Sequence, residues 1–127
     1  MSGVLVDTSV WIDHFRNGNR ALEILLGQGR ALTHLMVIGE IACGTPPAPR
    51  QQTLGDLGLL PMTLHGGLHD TMAFIEREYL FGLGCGLIDL VLLASTLITP
   101  GAKLWTLDKR LVGLTERFGV AHRMMVH

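Results

Sequence analysis

The sequence lacks three features that mark specialised classes of protein. Its two cysteines, Cys43 and Cys85, are too few for a disulfide framework, so we expect small buried thiols in a reducing compartment. Ten Lys and Arg residues oppose eleven Asp and Glu, which excludes a global basic field, and any polyanion must be held locally. The most apolar uncharged stretch, residues 90–102, contains Pro100 and Gly101 and is too short to span a bilayer. With no basic segment before the first apolar run, we expect a cytoplasmic protein that does not contact a membrane.

Apolar residues, by contrast, are abundant. They make up 48% of the 127 residues, a high fraction for so short a chain. Part of the apolar surface is therefore expected to be covered by a partner, in an oligomer or a complex. The length fits one ordinary domain, and no repeat, linker or low-complexity segment divides the chain, so we expect a single domain over residues 1–127.

Strand and helix patterns alternate along the chain. Short buried strands are predicted at residues 3–6, 30–33, 59–63 and 102–107, with an edge strand over 120–126. Helical periodicity covers the following stretches: 7–15, 21–26, 35–42, 50–57, 69–80, 87–98 and 109–118. This alternation predicts an α/β fold with a parallel sheet and helices on both of its faces.

Four carboxylates lie in or at the end of segments that otherwise look buried. Asp7 ends VLVD, Glu40 interrupts LMVIGEIAC, Asp89 interrupts GLIDLVLLA and Asp108 ends LWTLD. An isolated ionised carboxylate in an apolar interior is costly, so such groups are normally paired, neutralised or bound to a metal, and few basic residues lie near them in the sequence. Asp7 and Asp108 each follow a strand, at the edge of a parallel sheet where ligands bind.

Each acid also has an ordinary structural explanation. Asp7 and Asp108 precede helical patterns and could be N-caps, Asp89 could cap a helix that begins at Leu90, and Glu40 could lie on a solvated helix face. Together, however, four hard oxygen ligands without Cys or His suit Mg²⁺ or Mn²⁺ better than zinc.

Three hydroxyl residues lie beside the two strand-end acids. Thr8 and Ser9 follow Asp7, and Thr106 precedes Asp108 by two positions. Their hydroxyls could hydrogen-bond a carboxylate, a metal-bound water or a phosphate oxygen, or they could simply fill the turn and the strand.

At this point the sequence resembles a known family, the PIN-domain nucleases, and within it the VapC-type toxins of toxin-antitoxin pairs. The resemblance covers essentially the whole chain and rests on four segments in this order: VLVDTSVWIDHFR, GEIACG, GLIDLVLLASTL and KLWTLDKRL. It implies a three-layer sandwich with a central parallel sheet flanked by helices. Carried over residue by residue, the family's acidic quartet falls on Asp7, Glu40, Asp89 and Asp108, and its small hydroxyl residues on Thr8, Ser9 and Thr106. The chain departs from the family at Leu93, where a small residue is frequent, and at Leu111, where an aromatic is common.

The resemblance implies a toxin that is an endoribonuclease. Its Mg²⁺ or Mn²⁺, held by the four carboxylates, would activate water for in-line attack on a phosphodiester and leave a 5′-phosphate and a 3′-hydroxyl. A histidine-driven ribonuclease would instead use the ribose 2′-hydroxyl and form a cyclic phosphate. The implied partners are a second copy of the chain and a VapB-type antitoxin, whose apolar helix would lie near residues 35–57 and place a basic side chain close to the acids. Because the chain is near neutral, we expect cleavage at a few loop sites of a structured RNA.

Other functions remain open at the level of sequence. His65 and His69 have the spacing of two metal ligands on one helix face, although Gly66 and Gly67 weaken that helix. The GLGCG run at 82–86 fails the spacing of a nucleotide-binding loop and is better explained as an entry to the next helix. A phosphotransferase of the haloacid dehalogenase type would need an Asp where Ser9 stands.

A non-catalytic RNA- or protein-binding module is the main alternative. Bare carboxylates repel phosphates, so such a module would need a bound cation or local basic residues to hold RNA. The basic residues near the acidic edge are Arg16, Arg20, Arg50, Lys109 and Arg110.

Overall fold

A three-stranded parallel sheet forms the centre of the molecule. The computed structural model describes residues 2–123. Strand β1 (Val4–Val6) lies between β2 (Ala31–Leu32) and β3 (Lys103–Trp105), and both neighbours run parallel to it. Every residue of β1 is buried, as expected for the central strand of a parallel sheet that is covered on both faces.

Helices pack around this sheet, and their bounds follow the sequence pattern closely. They are α1 (Thr8–Asn17), α2 (Arg20–Gly27), α3 (Leu35–Cys43), α4 (Arg50–Gly58), α5 (Leu68–Glu78), α6 (Leu87–Ile98) and α7 (Lys109–Arg117). The predicted α/β fold, a PIN-like sandwich with a central parallel sheet flanked by helices, is confirmed. Helix α6 matches the predicted 87–98 at both ends.

The core combines the sheet with the apolar faces of the helices. Leu5 and Leu104 of neighbouring strands, Leu92 of α6 and Leu111 of α7 belong to one buried cluster. Leu93 and Leu111, the two positions where the chain departs from the family resemblance, are both fully buried in this cluster. The larger aliphatic side chains at these positions are therefore part of the core.

Two predicted strands are reduced to single bridges. In the predicted strand 59–63, Met62 pairs in parallel with Thr33 as an isolated bridge, because β2 ends at Leu32 and offers little backbone to extend the ladder. In the predicted edge strand 120–126, Ala121 bridges Leu104 in the same way. Residues 124–126 of that prediction lie outside the described residues.

The predicted environment of the two cysteines is wrong. Cys43 is exposed and Cys85 is half-buried, and both thiols are free. Cys43 is the last residue of α3, where Gly44 leads the chain away from the core, so its apolar sequence context did not imply burial. Within residues 2–123, no helix is both long enough and apolar enough to cross a membrane.

Candidate active site

Asp7 is the most deeply buried acid at the carboxyl edge of the sheet. It directly follows β1, and only 4% of its surface is exposed. Asp7 occupies the N-cap position of α1, but its side chain accepts no capping hydrogen bond. Its Oδ2 atom instead accepts hydrogen bonds from Ser9 Oγ at 2.7 Å and Thr106 Oγ1 at 2.8 Å. Within residues 2–123, the carboxylate thus has two hydroxyl partners and no cationic side chain.

The two hydroxyls are themselves oriented by backbone groups of the segment after β3. Ser9 Oγ accepts from the Leu107 N–H at 3.0 Å, and Thr106 Oγ1 accepts from the Asp108 N–H at 3.1 Å. Because each hydroxyl oxygen receives an N–H, its own proton is free to point at Asp7. These contacts connect the ends of β1 and β3 and hold the Asp7 carboxylate in one orientation.

Glu40 approaches the same edge from a different helix. It lies on α3 and is half-buried, and its Oε1 atom accepts a hydrogen bond from Thr8 Oγ1 at 2.7 Å. Thr8 is the first residue of α1, immediately after Asp7. The pair therefore brings α3 to the start of α1. All three predicted hydroxyl residues contact a carboxylate, one of the roles that the sequence left open.

Asp108 and Asp89 belong to the acidic edge and also accept hydrogen bonds from backbone N–H groups at the N-termini of helices. Asp108 is the N-cap of α7, and its Oδ1 atom accepts from the N–H groups of Arg110 and Leu111 at 3.0 and 3.1 Å. Asp89 is the third residue of α6, and its Oδ2 atom accepts from the Gly86 N–H at 3.3 Å. Asp89 does not cap a helix that begins at Leu90, because α6 already begins at Leu87. Among the described residues, the second oxygen of each carboxylate accepts no hydrogen bond.

The four acids form one electrostatic group. Burial raises the pKa of Asp89, and the negative charges of Asp7, Asp108 and Glu40 raise it further, while the hydrogen bond from Gly86 acts in the opposite direction. The ion pairs within residues 2–123 join only Glu78 and Glu116 to arginines, so none of the four acids has a cationic partner within 4 Å. The edge therefore carries uncompensated negative charge.

This donor set fits a hydrated divalent ion. Residues 2–123 contain no three His, Cys, Asp or Glu side chains spaced to enclose a metal by themselves. Mg²⁺, however, usually keeps several waters and takes one or two protein carboxylates together with substrate phosphates. Four acidic side chains with unoccupied oxygens and no competing cation suit that mode of binding, and they do not suit a closed zinc-type site.

The surroundings of the acids include one thiol and several exposed arginines. Burial raises the pKa of the Cys85 thiol, and the charges of Asp89 and Asp108 add to this, whereas Arg110 opposes it. Cys85 therefore stays protonated near neutral pH and is not an activated nucleophile. All five basic residues named from the sequence as flanking the edge are exposed. Arg110 also donates to the Gly84 carbonyl at 3.4 Å.

Two alternatives from the sequence lose their structural basis. His69 lies in α5, but His65 lies in the preceding loop, so the pair does not share a helix face. The GLGCG run forms a loop in which Gly82 and Gly84 have positive φ angles, and Gly86 is the N-cap of α6. The interpretation of this run as a helix entry is confirmed.

One polar residue near the site was not identified from the sequence. His34 lies directly after the Thr33 bridge, caps α3 and hydrogen-bonds Ser95 of α6. Its only sequence signal is its place immediately before an apolar helical pattern, and histidine is not among the preferred N-cap residues.

Comparison with known proteins assigns the chain to a family. No family model matches the chain. The chain is 38% identical over 120 residues to Ribonuclease VapC32 of Mycobacterium tuberculosis, in both strain CDC 1551 / Oshkosh and strain ATCC 25618 / H37Rv. The matched region spans 93% of this chain and 94% of each relative. The chain belongs to the VapC family of toxin ribonucleases.

Proposed function

We propose that this protein is the toxin of a toxin-antitoxin pair and an Mg²⁺- or Mn²⁺-dependent endoribonuclease. The observation that carries the proposal is the acidic edge of the sheet, where Asp7, Glu40, Asp89 and Asp108 share one electrostatic environment without a cationic partner. The relatives that match 93% of this chain are named ribonucleases. An acidic site repels RNA unless a cation is present, so RNA cleavage here requires a bound metal ion.

The four carboxylates would hold the ion directly or through its waters, with oxygens that accept no hydrogen bond within residues 2–123, and only one or two of them would need to coordinate it directly. When bound, a divalent ion at this position supplies charge neutralisation for a phosphate group and lowers the pKa of its water. The chain's own residues contribute a fixed geometry. Ser9 and Thr106 orient Asp7, Thr8 orients Glu40, and the capping contacts of Asp89 and Asp108 hold those two acids at helix N-termini. Lys109 and Arg110, which are exposed at the start of α7, would contact the RNA backbone.

The products of the reaction test this mechanism. Purified protein incubated with total cellular RNA and Mg²⁺ is expected to create new 5′-phosphate ends at a few loop sites of structured RNAs, and these ends can be mapped by sequencing. EDTA should abolish them. Cyclic-phosphate ends would indicate attack by the ribose 2′-hydroxyl, and ends spread evenly over all RNAs would contradict selective cleavage. If no ends appear beyond the EDTA control, the protein is a non-catalytic binding module.

We further propose an antitoxin site beside α3 and a homodimer surface on α5 and α6. A cleft of about 430 Å³ between α1 and the end of α3 is lined mostly by apolar side chains, namely Ile12, Phe15, Ile41, Pro46 and Pro47, together with Arg16, Gly44 and Thr45. Its lining residue Ile41 directly follows Glu40 in α3, so the cleft could accept an apolar helix that also carries a basic residue to the acids. The proposed dimer surface lies on α5 and α6, which pack together. It exposes four apolar side chains: Leu68, Met72, Leu97 and Ile98.

Two variants separate these surfaces. Ile12→Asp places a charge in the cleft, so we expect at least about a tenfold weaker affinity for the antitoxin encoded beside the gene, with the dimer unchanged. Met72→Asp places a charge on a side chain that is 59% exposed on α5, so we expect a monomer in sedimentation with antitoxin affinity retained. Circular dichroism checks that both variants are folded. If the wild type is a monomer, the proposed dimer surface is wrong. If Ile12→Asp does not change the affinity for the antitoxin, the proposed antitoxin site is wrong.

A further inference from the structure

Two of the four acids reach the site on helices rather than at strand ends. Glu40 lies on α3 and Asp89 on α6, so their separation depends on how these two helices are held together. Glu40 is six residues after His34, and Asp89 is six residues before Ser95. At about 1.5 Å per residue, each acid is roughly 9 Å of helix away from the point where His34 meets Ser95. The charge of Glu40 also raises the pKa of Asp89, so the two acids interact electrostatically at the end of the helix pair opposite His34 and Ser95.

His34 makes two hydrogen bonds that serve different helices. It is 2% exposed, and its Nδ1 atom accepts from the Met36 N–H at 3.0 Å, which caps α3. Burial lowers the pKa of His34 to about 4, with a further contribution from the charge of His65, so the ring is neutral near pH 7. Because Nδ1 accepts a hydrogen bond, the single ring proton is on Nε2. Nε2 therefore donates to Ser95 Oγ, 3.1 Å away in α6.

Ser95, which accepts the hydrogen bond from His34, is fully buried. Its Oγ atom also accepts from the Gly66 N–H at 3.4 Å. Among the hydrogen bonds of residues 2–123, the contact between His34 and Ser95 is the one that joins α3 to α6. A Ser, Thr or Asp at position 34 could cap α3, but its side chain is too short to reach α6 as well. Capping alone therefore does not account for a buried histidine here.

We propose that His34 is a positioning residue that ties α3 to α6 through Ser95 and thereby sets the separation of Glu40 and Asp89. The proposal rests on the proposed function, in which these carboxylates hold a divalent ion. Asp7 and Asp108 are positioned independently by the strand ends and by Thr106, so loss of the His34 contact would shift Glu40 and Asp89 relative to each other while Asp7 and Asp108 stay in place.

Mn²⁺ affinity is the readout that separates positioning from stability. His34→Asn keeps an oxygen that can cap α3 but is too short to reach Ser95, and Ser95→Ala removes the acceptor from the other side. Contacts that orient metal ligands typically contribute about 10- to 100-fold to affinity, so each variant is expected to bind Mn²⁺ about tenfold more weakly by calorimetry. The double variant should be no weaker than the weaker single variant, because both changes remove the same contact.

Thr96→Val is the matched control on the same helix. Thr96 is nearly as buried as Ser95, but its hydroxyl donates at 2.8 Å to the Leu92 carbonyl within α6 and makes no hydrogen bond to another element in the described residues. Its loss should leave Mn²⁺ affinity unchanged. All affinities are measured well below the thermal midpoint of each variant, so that only folded protein contributes.

The outcomes distinguish this proposal from the proposed function. If Asp89→Asn loses Mn²⁺ affinity while His34→Asn and Ser95→Ala bind as the wild type does, the positioning role is refuted and the metal site stands. Equal weakening by Thr96→Val would refute it too, since the effect would then reflect general loosening of α6. If the wild type binds no Mn²⁺, or Asp89→Asn binds it equally well, the metal site fails and the positioning role fails with it.

Discussion

Asp7→Asn and Asp89→Asn are each expected to lower Mg²⁺-dependent RNA cleavage by at least about 100-fold, since a ligand that contributes several kcal/mol of charge stabilisation corresponds to two or more powers of ten in rate. Asparagine has nearly the same volume as aspartate but lacks the formal charge. In Asp7→Asn the side-chain oxygen can still accept from Ser9 and Thr106, so the local structure is preserved. The measurement is the cleavage rate of one mapped RNA site at saturating Mg²⁺.

The free energy of unfolding of Asp89→Asn provides a second test of the role of this acid. The folded state raises the pKa of Asp89, so the ionised form is less favourable in the folded protein than in the unfolded chain. Above that pKa, removal of the charge is expected to increase the free energy of unfolding while activity falls. Opposite changes in activity and stability would point to a functional acid and not to a structural one.

Asp56→Asn is the matched control for both variants. Asp56 is an exposed acid on α4 and makes no ion pair in the described part of the chain. Its substitution should leave both cleavage and the thermal midpoint unchanged. Undiminished cleavage by both Asp7→Asn and Asp89→Asn would contradict the assignment of the acidic edge as the active site.

Much of the fold follows from local sequence patterns. Helix α6 is predicted to the residue because a mostly apolar run, interrupted by Asp89, begins directly after Gly86 and ends before Pro100. Strands β1 and β3 are predicted because each is a short apolar run closed by an acid. The segment around Met62 is predicted as a strand but forms only a single bridge. Its apolar pattern does not show that the neighbouring strand, β2, has only two residues with which to pair. Pairing length depends on the partner strand, which the local pattern does not contain.

The four acids of the site could be predicted from the sequence because burying a charged carboxylate is costly. An acid within or at the end of an apolar segment indicates a special environment, and the four acids found in this way interact in the structure. The partners of those acids are separated by long stretches of chain, such as Thr8 with Glu40 and Thr106 with Asp7. His34 was missed for the same reason. Its contact with Ser95 spans 61 positions, and neither residue is unusual in its local context.

Leu93→Ala is expected to lower the free energy of unfolding by about 2 to 5 kcal/mol, the usual cost of truncating a fully buried leucine. The family resemblance places a small residue at this position, which would suggest that alanine is tolerated. Leu93 is, however, 0% exposed and packs within the core cluster, so its truncation would leave a cavity between α6 and its neighbours. For a chain of this length, about 4 °C of thermal midpoint corresponds to each kcal/mol, so calorimetry should show a decrease of roughly 8 to 20 °C.

Leu87→Ala on the same helix provides the comparison. Leu87 is 50% exposed and lies outside both the core cluster and the proposed dimer surface, so the same chemical change should lower the midpoint by much less, with a cost of about 1 kcal/mol or below. The two variants share the change in helix propensity, and their difference therefore reports the cavity. If Leu93→Ala melted at or above the wild-type temperature, α6 would have to relax onto the sheet and fill the space. Such a shift would also move Asp89, and the Mn²⁺ affinity of Leu93→Ala would then have to change with it.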